Sequence, residues 1–127
     1  MSTLRCTNLQ DTSGSNSLTT AQIYNGAAKA WVNFNGTGTV AIRAQFNVSS
    51  FTDYGQGDYT VSFTTAMPDA NYCFTSNVAQ DLIGGQQGKT AGIYTTPSSG
   101  SCRVSTGFME GSPQFRDCER VFIAIFR

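Results

Sequence analysis

From Ala28 to Ser50 the chain reads AKAWVNFNGTGTVAIRAQFNVSS, and its apolar residues recur at every second position. A period of two puts alternate side chains on opposite faces of an extended strand, whereas a helix would need a spacing of three to four. In AWVNF, Trp31 and Asn33 are predicted to face one way and Ala30, Val32 and Phe34 the other. Asn35 to Thr39 form a turn, where Gly36 and Gly38 are free to take positive φ. The next run is predicted to set Val40, Ile42, Ala44, Phe46 and Val48 against a core, with Ala41, Arg43, Gln45 and Asn47 outward.

The same rhythm continues downstream. Tyr59, Val61 and Phe63 alternate with Thr60, Ser62 and Thr64 after DYGQGD, Asp53 to Asp58, which reads as a hairpin loop. A turn at Pro68 leads to Tyr72, Phe74, Ser76 and Val78. Residues 80–90, QDLIGGQQGKT, read as a surface loop. Short strands are expected at Gly92–Thr95, Cys102–Glu110 and Arg120–Arg127. About seven short strands separated by turns predict an all-β fold, an antiparallel β-sandwich, over residues 29–127. Residues 1–28 are polar and keep no period for long, so they read as an extended arm with at most a short strand or turn.

The last strand, RVFIAIFR, is apolar on both faces. Val121, Ile123 and Ile125 point one way; Phe122, Ala124 and Phe126 point the other. Either a loop covers the second face or a further subunit meets it. Two phenylalanines removed from water would contribute on the order of 3–5 kcal/mol to such an interface.

Composition excludes much chemistry. At 127 residues the chain makes one domain. Eight acidic and eight basic residues cancel, and the basic ones are scattered, which argues against a nucleic-acid partner. There is no histidine, so His-based acid–base catalysis, Ser-His-Asp triads and His-ligated metals are out of reach. The four cysteines, Cys6, Cys73, Cys102 and Cys118, form no C-x-x-C pair. They read as small buried hydrophobes, with one or two disulfides left open. No run approaches the ~20 apolar residues of a membrane helix, and the start lacks the apolar centre of a signal peptide. No cofactor is implied.

Individual motifs weigh little. GGQQGKT, Gly84 to Thr90, resembles a phosphate loop, but the position that should hold its first glycine is Ile83, and a strand-like run follows. Asp53 and Asp58 flank one loop and could pair as hydrolytic carboxylates, yet turn aspartates commonly serve the local backbone. Asn35-Gly36-Thr37 and Asn47-Val48-Ser49 fit the glycosylation pattern and read more simply as turn and strand residues. Tyr54 and Tyr94, in loops, could stack on sugar rings.

Four runs together carry a resemblance: Lys29 to Gly38, Phe46 to Ser50, Gly57 to Val61 and Met67 to Tyr72 (KAWVNFNGTG, FNVSS, GDYTV, MPDANY). They closely resemble a module of bacteriophage tail-fibre and related virion proteins, densely over residues 27–78. The resemblance implies a β-sandwich without catalytic residues, trimeric, and part of the phage particle after synthesis in the host cytoplasm. Only about 28 residues precede the module here, so a short fibre or tip subunit is expected in place of a whole long fibre. Its function would be attachment to a host surface glycan or protein. The alternative is a head decoration protein bound to the major capsid protein, and a glycan-degrading tail enzyme is a third class. On this reading residues 1–28 anchor the chain to other virion proteins. Phe122, Ala124 and Phe126 bury subunit contacts, and Tyr54, Gln56, Gln86 and Gln87 face the receptor.

Overall fold

The computed structural model describes residues 2–3, 5–79, 89–108 and 114–127. Their regular structure is one short helix and antiparallel strands in three sheets. In the arm, β1 (Asn8–Gln10) pairs with β2 (Ser17–Thr19), and α1 (Thr20–Gly26) follows directly. A four-stranded sheet has the order β4 (Ala41–Phe46), β3 (Ala28–Asn35), β11 (Arg120–Phe126), β7 (Cys73–Ala79). A five-stranded sheet runs β10 (Gln114–Phe115), β9 (Ser101–Phe108), β6 (Asp58–Phe63), β5 (Val48–Gly55), with β8 (Lys89–Ile93) also pairing β9.

The two larger sheets share one core. Ala30, Val32, Phe34, Val121, Ile123 and Ile125 come from the first; Val48, Tyr59, Val61, Phe63, Cys102 and Val104 come from the second. Phe34 contacts Phe51 at 4.4 Å and the edge of Tyr59 at 5.3 Å between ring centroids, joining the sheets at their centre. Burying the Tyr59 ring leaves its hydroxyl to be satisfied, and it lies 2.9 Å from Gly36 O and 2.8 Å from Asp117 Oδ1. Burial, reinforced by Asp117, pushes this phenol well above its ordinary pKa.

The opening run is split where the sequence reads as continuous. Asn47 takes φ 55° and turns the chain from one sheet into the other. Its amide holds that corner by donating to Lys29 O and Thr65 O and accepting from Thr65 N at 2.7 Å. Asparagine is among the few side chains that tolerate this conformation. The expected core face of residues 40–48 is thereby corrected. Val48 is buried in β5 and Val40 packs at the core margin, but every residue of β4 is exposed, Ile42 and Phe46 included. β4 is a sheet edge, and a register shift at Asn33/Phe34 breaks its phase.

The described residues form eleven strands where about seven were expected, because β1, β2, β5 and β10 add to those expected. The arm is more ordered than its composition suggested. Asp11 closes the hairpin, its carboxylate accepting from Ser13, Ser15 and Asn16, and these bonds, led by Asn16, hold its pKa below the usual carboxylate range. A capping box starts α1: Thr19 Oγ1 accepts from Gln22 N at 3.1 Å, and Gln22 Oε1 from Thr19 N at 2.8 Å. No residue of the hairpin or helix is buried.

Candidate functional site

With the inner faces spent on the core, functional surface is left to the two outer faces. On the four-stranded sheet, register places Phe46, Trp31, Ala124 and Thr75 in one row and Ala44, Asn33, Phe122 and Asn77 in the next. Phe126 lies opposite Cys73 and Ala28 at the end. Phe122 is 38 % exposed, Trp31 39 % and Phe46 53 %. Ala124 and Phe126 are half-buried on the same face. The three residues expected at an interface therefore do share one surface, which no described loop seals. Polar Thr75 and Asn77 lie at its β7 edge, and Asn33 is the polar residue at its centre. Its Oδ1 is buried with no hydrogen-bond partner, which costs about 1–3 kcal/mol.

The outer face of the five-stranded sheet is built differently. Arg103 projects from β9 between Cys102 and Val104, which face the core. Its Nε and Nη2 donate to Asp58 Oδ1 and Oδ2 at 2.8 and 2.6 Å. Asp58, 8 % exposed, thus holds a planar fork that keeps the guanidinium charged and raises its pKa. Tyr54, expected in a loop over Asp53 to Asp58, belongs instead to β5, because the strands run on to Gly55 and Asp58 and leave only Gln56 and Gly57 for the turn. It lies at a register shift between Asp53 and Gly55, and this bulge aims its ring at Arg103, 4.2 Å from Cζ. On the other side the Tyr94 ring stands 5.2 Å from the same atom and meets Phe115 edge-on at 5.0 Å. The supporting turn requires glycine at position 57. It has φ +66°, and an added Cβ would come within 2.4 Å of Thr106 O.

Gln56 adjoins this platform, accepting from Arg116 Nη1 at 3.0 Å. Gln86 and Gln87 lie outside the described residues. Asp53 and Asp58 are not a facing pair: Asp53 accepts from Gly55 N at 2.9 Å, while Asp58 is engaged by Arg103. Asn35 and Asn47 serve turn and corner backbone. Among the described residues no group of three or more Cys, Asp or Glu side chains converges as metal ligands would. None of the four cysteines is in a disulfide; Cys102 and Cys118 are buried, whereas Cys6 and Cys73 are exposed, against the expectation for them. Burial pushes the Cys102 thiol up to about 12.

Sequence reading missed Trp31 and Phe46 as partners of the last strand, because only pairing places them beside it. It also missed Arg103 and Phe115, and weighed Asp58 against Asp53 in place of Arg103; an arginine alternating with core residues in a strand was the available signal. No family model matches the chain, and no curated protein or solved structure matches it.

Proposed function

We propose that the chain is a non-enzymatic structural subunit of a bacteriophage virion, a tail-fibre or tip-like homotrimer that attaches the particle to the host surface. One observation carries the assembly: the exposed apolar face of Trp31, Phe46, Phe122, Ala124 and Phe126 on the four-stranded sheet. Three large rings between about two-fifths and half exposed contribute on the order of 1 kcal/mol each when a neighbour removes them from water. The resemblance of the four sequence runs to virion modules supplies the phage context. Sedimentation of the full chain at micromolar concentration tests the reading, with a trimer expected and a stable monomer overturning it.

A specific feature favours a second reading, a head decoration protein anchored by its arm. Leu9 and Leu18 face each other across the hairpin and, with Ile23 and Tyr24 of α1, remain exposed. A two-stranded hairpin is marginal by itself and gains stability when such residues are covered. A groove of about 830 Å³ opens at the arm's root, lined by Tyr24, Lys29, Phe46, Met67 and Pro68 among others. Imaging of the particle separates the readings, since capsid neighbours around residues 1–28 support decoration and tail neighbours support the fibre.

A further inference from the structure

Core packing does not require the Tyr54–Arg103–Tyr94 stack, because the core lies on the opposite face of the same sheet. Yet the stack is fixed: Asp58 engages two guanidinium nitrogens, two phenol rings flank the group, and Phe115 braces the second ring. We infer that Tyr54, Arg103 and Tyr94 form a binding site for an uncharged glycan, with pyranose rings stacking on the tyrosines and hydroxyls accepting hydrogen bonds from Arg103. This rests on the attachment reading above and names the ligand class it leaves open.

Three features select that class. First, the rings are wide open, Tyr54 at 56 % and Tyr94 at 47 %, and each pairs an apolar face with a polar tip. Such rings suit the flat C–H face and hydroxylated rim of a sugar. Secondly, Arg103 Nη1 makes no hydrogen bond to any described residue, so its in-plane N–H groups remain to donate. The Asp58 carboxylate behind it offsets the positive charge, which gives an anionic ligand little advantage over a neutral one. Thirdly, the residues alternating with the core on the adjoining strands are Thr52, Thr60 and Ser62, hydroxyls that can bond to further sugar hydroxyls and residue types that seldom anchor a protein interface. The row beside Tyr94 is also open. Gly92 lies opposite buried Ser105, and a Cβ added there would meet nothing within 4 Å.

The test is an array of defined bacterial surface oligosaccharides probed with the full chain. It carries neutral hexose and deoxyhexose repeats, uronic-acid repeats, and aromatic peptides. Binding to neutral repeats is expected, and Tyr54→Ala and Tyr94→Ala should each weaken it about tenfold or more. Gly92→Leu should block it while removing no contact of the native site. Unchanged thermal midpoints would show that these variants remain folded. Capture of uronic-acid repeats only, capture of peptides only, no capture at all, or neutral binding unaffected by all three substitutions would each overturn the site. Sedimentation of the same preparation separates the two levels. A trimer that captures nothing loses the glycan site alone, whereas a glycan-binding monomer loses the assembly reading alone.

Discussion

The two outer faces of this domain answer the same structural question in opposite ways. Each lies behind a strand whose alternate residues build the core, so each is free to carry something else. The four-stranded sheet presents Trp31, Phe46, Phe122 and Phe126 and leaves a central polar atom, Asn33 Oδ1, without a partner. The five-stranded sheet presents aromatic rings too, but around a charge that is paired, Arg103 on Asp58. The first surface is costly to leave in water. The second is at home there and preorganised, so on the proposed reading hydrophobic burial would drive association at one face, and oriented donors and rings would select a ligand at the other.

The largest expected effect follows from breaking the first face. Phe122→Asp sets a carboxylate at its centre and should convert the trimer to a monomer in sedimentation, whereas Tyr54→Ala should leave the trimer intact. If both variants stay trimeric, the four-stranded face is not the interface. Thiol labelling sharpens the same contrast. Cys73 sits on that face opposite Phe126, so a maleimide should modify it at least about tenfold faster in Phe122→Asp than in the assembled chain. Cys6, in the arm, should label quickly in both. Cys102 should stay silent in both at neutral pH, because a thiol whose pKa is raised to about 12 holds almost no reactive thiolate until the solution approaches that value. Equal rates at Cys73 in the two proteins would count against its coverage.

On the second face, Arg103→Met should lower the denaturation midpoint, because Asp58 would be left buried with an unanswered charge. Asp58→Asn with Arg103→Met should recover part of that loss. A midpoint unmoved by the single substitution would mean that the pair adds no rigidity to the platform.

Much of the fold was legible because period-two alternation survives wherever both flanking strands are regular. Ala30, Val32 and Phe34 point inward and Trp31 and Asn33 outward, and Tyr59, Val61 and Phe63 reach the core, all as the pattern predicts. The pattern failed at Ile42 and Phe46 because Asn47 inserts one left-handed residue and passes the chain to another sheet, which composition does not announce. The apolar outer face was half legible: Phe122 and Phe126 betray themselves by making one strand doubly apolar, while Phe46 becomes their neighbour only through β3. The Arg103–Asp58 pair spans 45 positions and was invisible, since nothing local links the two.

The smallest effect expected is a gain. Asn33→Val removes the orphaned Oδ1 and substitutes a β-branched side chain in the middle of a sheet, so the domain should become more stable by about 1 kcal/mol in denaturant titration. An unsatisfied polar atom kept amid apolar neighbours has a use if it discriminates between ways of pairing two such faces, as single buried polar groups do at other assembling surfaces. Asn33→Val should then broaden the oligomer distribution beyond the trimer even as it stabilises the subunit. A loss of stability would mean that the Asn33 amide holds the sheet together, and a stable variant confined to one oligomer would mean that the surrounding rings alone set the register.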